Sequence, residues 1–171
     1  GTTTLAYTVT DAAGLSASCQ FTITIIDAQA PAITCPANIT ANTAPNTCTA
    51  VVNYTPPVGT DNCPGASTAQ SDNTGLSSGS TFPKGITTLA YTVTDAAGLS
   101  ATCQFTITIV DAQAPAIACP ANITTNTAPN ACTAVVNYTS PVGTDNCPGT
   151  NTAQSDNTGL SSGSAFPKGT T

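Results

Sequence analysis

The sequence contains no histidine, glutamate, arginine, methionine or tryptophan, and Lys84 and Lys168 are its only basic side chains. Hydrolysis and group transfer need a nucleophile beside a base, paired acids, a metal or a cofactor loop. Histidine and glutamate are absent and no two aspartates are close together in the sequence, so most of these arrangements are excluded. We therefore predict that the chain is not an enzyme and requires no cofactor.

The scarcity of basic residues also restricts the partners. All eight acidic residues are aspartates, the formal net charge is -6 and the isoelectric point is about 4.1. Binding to nucleic acid or to an anionic membrane is therefore electrostatically disfavoured. No apolar run approaches the roughly 18 residues of a membrane helix, and no signal peptide is present. We predict no nucleic-acid partner and no membrane insertion, and we expect any export signal to lie outside this segment.

What the sequence does contain is an internal repeat with a period of 84 residues. Residues 1–84 match residues 85–168 at 74 of 84 positions, and none of the ten differences changes a charge. We predict that residues 1–26 are the last two strands of a preceding copy, 27–110 a complete copy and 111–171 the first part of a following copy. Neither partial copy can bury a core alone. The segment is therefore a window of a longer repeat protein, or two molecules complete each other by donated strands.

Each copy carries four cysteines at fixed positions. They are Cys35, Cys48, Cys63 and Cys103 in the complete copy, with Cys19, Cys119, Cys132 and Cys147 as counterparts in the partial copies. An even number at fixed spacing, in a chain without histidine, predicts disulfides and an extracellular location. Separations of 12, 14 and 39 residues lack the close pairs of structural zinc sites. Cys19 and Cys119 need partners from outside this segment.

Apolar residues alternate with polar ones over short runs, a pattern that predicts half-buried β-strands. The residues predicted to share a face are Leu89, Tyr91 and Val93; Cys103, Phe105, Ile107 and Ile109; Cys48, Ala50, Val52 and Tyr54; and Ile33, Cys35, Ala37 and Ile39. Pro, Gly, Asn and Asp in the intervening segments predict turns. Six or seven short strands per copy predict an all-β fold of tandem immunoglobulin-like β-sandwich repeats, each 84 residues long and stapled by disulfides.

The predicted strand order suggests a disulfide pairing. In an immunoglobulin-like order the first and last strands are parallel neighbours, so Cys35 on the first is expected to pair with Cys103 on the last. This leaves Cys48 to pair with Cys63. Four cysteines allow three connectivities, and a bridge between copies also stays open.

Aspartates are expected to converge where consecutive copies meet. Asp27 ends a last strand, and Asp61 and Asp95 lie in turns at the same pole; Asp111 and Asp145 are counterparts in the following copy. Carboxylates and carbonyls could supply the oxygen ligands of calcium, the one cofactor that the sequence suggests. The alternative, which the local sequence favours, is that these carboxylates cap their own turns.

Four asparagines lie in N-x-T sequons, which are glycan acceptors in a secreted eukaryotic chain. They are Asn38, Asn53, Asn122 and Asn137. The same NIT and NYT triplets are also ordinary strand sequence, so both interpretations stay open.

Several motifs in order resemble the HYR (hyalin repeat) domain. They are TCPANIT, VVNYTPPVGTDNC, GSTFPKGITTLAYTVTDAAG and SATCQFTI, and the resemblance spans the complete copy, residues 27–110. It implies an immunoglobulin-like fold found in tandem arrays of extracellular proteins, with adhesion or structural roles and without catalysis.

We therefore expect a structural, non-enzymatic segment of an extracellular filament or surface appendage. Its partners would be identical repeats of the same or neighbouring chains, because a repeat protein gains length by copying one unit. The alternative is an adhesin stalk or binding module that recognises a protein or glycan receptor. Ligand-specific loops often diverge between copies, whereas SDNTGLSSGS recurs unchanged, which favours the structural role.

Overall fold

The computed structural model describes residues 1–169. Within them it contains ten β-strands and no helix, so the all-β prediction is confirmed and none of these residues forms a membrane-spanning helix. The strands are β1 (Thr2–Thr10), β2 (Ser16–Thr24), β3 (Ile39–Asn42), β4 (Thr49–Val51), β5 (Ser67–Gln70), β6 (Thr81–Pro83), β7 (Gly85–Thr94), β8 (Ser100–Val110), β9 (Thr133–Val135) and β10 (Ala165–Pro167).

The described residues fall into two compact units. The first contains Gly1–Ile39, Asn53–Ser80 and Ile86–Ile107, and the second contains Thr40–Val52, Thr81–Gly85 and the residues from Thr108 onwards. The second unit thus combines segments on both sides of residue 110, where the complete copy ends and the following copy begins.

The largest sheet has four strands in the order β3–β8–β7–β5. Its two long strands, β7 and β8, alternate between buried and less buried residues along their length. The buried members are those that the sequence pattern predicted: Leu89, Tyr91, Val93, Phe105, Ile107 and Ile109. Burial of such side chains on one face is the main stabilising contribution in a sheet of this kind.

Strand β3 lies beside β8 and runs parallel to it. A disulfide joins Cys35 to Cys103, and further along both segments the N–H of Thr43 donates to the carbonyl of Val110 at 2.9 Å. Because the two contacts advance together along both segments, the directions are the same. This is the neighbourhood of first and last strands that the sequence predicted.

The first strand is shorter than the sequence predicted. Only Ile39–Asn42 forms a strand, and an isolated bridge at Ala32 is the other β-pairing of the run PAITCPANIT. Pro31 and Pro36 have no N–H to donate to a ladder, which limits regular pairing in this run.

Two short antiparallel sheets repeat each other one period apart. β4 pairs with β6 from Thr49 opposite Pro83, and β9 pairs with β10 from Thr133 opposite Pro167, which is the same register. Both contain a central Ala–Phe pair. Phe82 of the first sheet is fully buried, whereas its counterpart Phe166 is partly exposed.

The hairpin β1–β2 is the preceding counterpart of β7–β8. Its strands pair antiparallel from Thr2 opposite Thr24. Tyr7 is 61% exposed and Phe21 is 49% exposed, whereas the corresponding residues of β7 and β8 are 5% and 2% exposed. The same sequence is therefore a buried sheet face in one copy and an open apolar face in the other.

Candidate site at the repeat junction

Two isolated β-bridges shape the chain where consecutive copies meet. Ala32 and Thr60 exchange backbone hydrogen bonds of 2.8 Å in both directions, and so do their counterparts Ala116 and Thr144. Each bridge brings the segment that follows a last strand beside a TDNC turn. As a result the first aspartate of a copy lies close to the cysteine of that turn.

Gly59 precedes the first TDNC turn and allows it to pack closely on the sheet. A Cβ atom at this position would lie 2.5 Å from the Cβ of Val93, too close for any side chain. The N–H of Gly59 also donates to the hydroxyl of Thr68 at 2.9 Å. The turn is therefore held in place by a residue that must lack a side chain.

A disulfide joins Cys48 of the complete copy to Cys147 of the following copy. Its S–S distance is 2.09 Å and its Cα atoms are 4.7 Å apart, although 99 residues separate them in the sequence. The predicted pairing of Cys48 with Cys63 is therefore wrong, and the bridge between copies, which the sequence left open, is present. The physical reason is the direction of the TDNC turn: its cysteine faces the preceding copy, so Cys63 lies beside Asp27 instead.

The predicted bridge between Cys35 and Cys103 is present, with Cα atoms 5.5 Å apart. Four cysteines among the described residues are free thiols. Cys63 is partly buried, and the other three are exposed: Cys19, Cys119 and Cys132. Cys132 is thus not joined to Cys147, because Cys147 is already bonded to Cys48.

Hydrogen bonds surround the disulfide between the copies. The amide of Asn146 donates to the carbonyl of Thr47 at 2.6 Å and to the hydroxyl of Thr43 at 3.3 Å. The N–H of Asn46 donates to the side-chain oxygen of Gln113 at 3.1 Å. Residues 43–48 therefore meet the following copy through polar contacts as well as through the covalent bond.

An ion pair completes this set of contacts. Lys84 Nζ lies 3.2 Å from Asp111 Oδ2. Desolvation by itself raises the pKa of Asp111, but the ammonium group of Lys84 and the N–H of Gln113 outweigh it, so the pKa lies below its usual value. The carboxylate is therefore charged and paired at neutral pH.

The corresponding residues one period earlier form a cluster without these partners. Ligand atoms of Asp27, Asp61 and Cys63 all lie within 4.8 Å of one another. The carboxylate of Asp27 is the main cause of a raised pKa of the Cys63 thiol. Conversely, that thiol and the N–H of Gln29 lower the pKa of Asp27. The cluster therefore holds a protonated thiol beside two carboxylates.

The predicted calcium ligands of the complete copy cap turns. Asp27 accepts the N–H of Gln29 at 3.1 Å, and Asp61 accepts the N–H of Cys63 at 3.0 Å. Asp95 is buried and is not part of the Asp27 cluster; its Oδ1 accepts the N–H of Leu99 at 2.8 Å. Listing the full set of carboxylates and their partners would add only Asp111, paired with Lys84, and Asp145, which accepts the N–H of Cys147.

Calcium binding at the junction stays a prediction. Calcium takes six to eight oxygen ligands, and the cluster around Asp27 offers a thiol in place of one oxygen. The carboxylates already serve the local turns, as the alternative interpretation expected.

All four sequon asparagines are exposed: Asn38, Asn53, Asn122 and Asn137. Asn38 is also engaged with the sheet, because its Oδ1 accepts the N–H of Thr106 in β8 at 2.8 Å. Glycan occupancy at these positions stays a prediction.

Three junction residues were not recognised from the sequence: Lys84, Gln113 and Asn146. One signal was available for Lys84, which is the single cation of its copy and would be expected to seek a carboxylate. Gln113 and Asn146 carry no such signal, because exposed amides are frequent in turns.

Comparison with known proteins agrees with these features. The family model of the HYR domain matches residues 1–25, 26–109 and 110–171, which together make up the entire chain. A domain family of tandem, extracellular repeat modules is thus indicated.

The chain belongs to the HYR domain family. It is similar to hyalin of Strongylocentrotus purpuratus, with 36% identity over 152 residues that cover 85% of this chain and 12% of that protein. It is also similar to hyalin of Lytechinus variegatus, with 32% identity over 176 residues that cover 99% of this chain and 32% of that protein. The chain thus spans a third or less of the length of these curated relatives. No solved structure matches it.

Family membership supports an adhesion-type repeat module without enzymatic activity. Together with the two disulfides it agrees with an extracellular location.

Proposed function

We propose that the chain is a structural segment of an extracellular filament or surface appendage, built from immunoglobulin-like sandwich repeats of 84 residues joined head to tail. The single observation that carries this proposal is the disulfide between Cys48 and Cys147, which connects one copy to the next. A binding module needs no covalent bond between its copies. A fibre that bears load does, because non-covalent contacts between small domains separate under force.

The consequence for stability is large. By loop entropy, a bridge that closes a loop of about 100 residues stabilises the folded state by roughly 4 to 5 kcal/mol. The ion pair and the amide hydrogen bonds add orientation: Lys84, Asn146 and Gln113 restrict rotation about the single covalent link. The junction is therefore expected to be stiff rather than a flexible linker.

The consequence for mechanics follows from the position of the cysteines within a copy. If every copy uses the same bond, the shortest covalent path enters a copy at the Cys63 position and leaves it at the Cys48 position. That path uses about 15 of every 84 residues, so full extension gives only about 50 Å per copy. Force along the fibre would bypass most of the fold, and the copies could unfold without lengthening the fibre much.

Electron microscopy of the protein isolated from its source tests this function. We expect uniform, straight filaments in non-reducing buffer, and flexible chains of beads after a reductant has cleaved the bridges. Short dispersed stalks of the same flexibility in both buffers, together with a measurable receptor, would instead support the adhesin interpretation.

A further inference from the structure

The four free cysteines are the missing halves of the two observed bridges. Cys119 is the counterpart of Cys35, and Cys19 is the counterpart of Cys103, one period away in each case. In the same way Cys132 is the counterpart of Cys48, and Cys63 is the counterpart of Cys147. Each bridge, moved by one period, thus assigns a partner to every thiol, but the partners lie on opposite partial copies.

We propose that a second copy of this chain binds at residues 111–169 and is fastened there by two disulfides, Cys119 to Cys19 and Cys132 to Cys63 of the second copy. The hairpin β1–β2 of the second copy would complete the following copy of the first. This proposal rests on the proposed function, since it extends the junction of Cys48 and Cys147 from one chain to two.

The second unit has an open groove of about 680 Å³ where the second copy would bind. Cys119, Asn122 and Thr127 line it on one side. Their counterparts in the complete copy are the three residues that bond to β8: Cys35 by its disulfide, Asn38 through Thr106 and Thr43 through Val110. The groove therefore presents the same bonding groups, in the same order, without a strand beside them.

The hairpin β1–β2 has the sequence that the groove requires. Residues 1–26 are identical to residues 85–110 at 23 of 26 positions. The apolar residues Tyr7, Phe21 and Ile23 are 61%, 49% and 46% exposed, whereas their counterparts in β7 and β8 are at most 5% exposed. Ile123, which lines the groove, is 53% exposed. Binding would bury both apolar surfaces, which is the driving force expected for docking.

The junction contacts can be transferred in the same way. The second copy's Asp27 would meet Lys168 as Asp111 meets Lys84. The second copy's Cys63 would bond to Cys132 as Cys147 bonds to Cys48. The cluster of Asp27, Asp61 and Cys63 would then obtain both a cation and a disulfide partner, which it lacks within the described residues of one chain.

Formation of each bond requires an oxidant, for which a small disulfide such as oxidised glutathione suffices. The two thiols lose two protons and two electrons and form one S–S bond. The S–S bond of glutathione accepts both and yields two molecules of reduced glutathione. Thiol–disulfide exchange of this kind proceeds through a mixed disulfide.

Two complementary variants test the proposal with the complete chain. Cys19→Ser/Cys63→Ser removes the thiols of the hairpin end, and Cys119→Ser/Cys132→Ser removes those of the groove end. Oxidised with glutathione, each variant alone should remain a monomer on a non-reducing gel, and their equimolar mixture should give a dimer and no larger species. The unmodified chain should give a ladder of higher oligomers.

Mass spectrometry of the dimer identifies the bonds. We expect the peptide pairs Cys119–Cys19 and Cys132–Cys63, with all Cys–Ser variants retaining Cys35–Cys103 as a control for correct folding. Monomers in the mixture, or symmetric pairs such as Cys63–Cys63, would overturn the proposal. The bond between Cys48 and Cys147 is read in the same spectra: its presence without a dimer leaves the proposed function standing, and its absence removes both.

Discussion

Lys84 Nζ lies 3.2 Å from Asp111 Oδ2, so the turn after β6 is paired with the first residue of the following copy. Lys84 is the only basic residue of its copy, and it is used at the junction. The pair lies next to the disulfide between Cys48 and Cys147, since the N–H of Lys84 donates to the carbonyl of Cys48 at 3.1 Å. Electrostatic, polar and covalent contacts thus coincide at one place.

Replacing Lys84 by methionine should lower the melting temperature slightly, by at most about 3 °C, because partly exposed ion pairs contribute little. The pKa of Asp111 is lowered in the folded chain. The pair therefore stabilises the fold above the unfolded pKa near 4, and its effect is lost as the pH falls through the lower folded value. Differential scanning calorimetry at pH 7 and pH 2 measures this.

Lys168→Met is the matched control, because Lys168 has no carboxylate partner among the described residues. It should leave the melting temperature unchanged. Equal effects of both substitutions, or an effect of Lys84→Met that persists in 1 M salt, would show that lost charge pairing is not the cause.

Asp72 is the best-bonded carboxylate of the first unit. It accepts hydrogen bonds from Gln70, Thr74 and the N–H of Ala90, the last at 2.9 Å. Desolvation raises its pKa, but these bonds outweigh it and hold the pKa at about 2. Asp72→Asn should therefore cost about 1 to 2 kcal/mol at pH 7.

The pH dependence of that loss has a defined sign. A depressed pKa gives stability that is present above the unfolded value near 4 and disappears as the pH falls towards 2. Urea unfolding should thus show a smaller difference between the unmodified chain and Asp72→Asn at pH 2 than at pH 7. Asp156→Asn is the control, since Asp156 keeps the bonds from Gln154 and Thr158 but has none from a strand corresponding to β7. A pH-independent loss would contradict the account.

Gly59→Ala should destabilise the chain by about 1 to 3 kcal/mol, because the new methyl group would overlap Val93. Gly143→Ala should cost less, since its nearest neighbour would be the movable hydroxyl of Thr152 at 3.3 Å. Urea unfolding of both variants measures the difference. In addition, Gly59→Ala/Val93→Ala should lose less stability than the sum of its single changes. Equal costs at the two glycines would show that contact with Val93 is not what matters.

Calcium chelation should leave the melting temperature unchanged, because Asp27, Asp61 and Asp95 already accept N–H groups of their own turns. Calorimetry with EDTA and with added calcium tests this. A drop of several degrees in EDTA that is absent in Asp145→Asn would contradict it. That result would assign Asp145 Oδ1 and Asn146 Oδ1, which are buried without hydrogen-bond partners, to a cation.

The sequence predicts the sheet faces well because burial follows the period of the strand. Leu89, Tyr91 and Val93 alternate with threonine and alanine, and all three are buried. Strand β5 carries only Ser, Thr, Ala and Gln, so no apolar alternation marks it. The predicted first strand was too long because its prolines interrupt pairing. Local pattern therefore finds the core strands and misses the polar ones.

The partner of Cys48 could not be found in this way. The segment TDNCPG surrounds both Cys63 and Cys147, so nothing in the local sequence distinguishes them. What decides is the direction of the turn, which depends on the β-bridge between Ala116 and Thr144 and on the close packing of glycine before the turn. In a repeat protein a contact within a copy and a contact between copies look alike until the fold is known.

The covalent junction is tested most directly by pulling single oxidised chains from residue 1 to residue 171. With Cys48 bonded to Cys147, about 70 residues can extend, which gives a final length of about 250 Å. In Cys48→Ser the bridge between Cys35 and Cys103 alone limits extension, and about 100 residues should give about 360 Å. Both chains should reach about 600 Å after reduction. An unmodified oxidised chain that extends to about 360 Å would show that the bond between copies does not form.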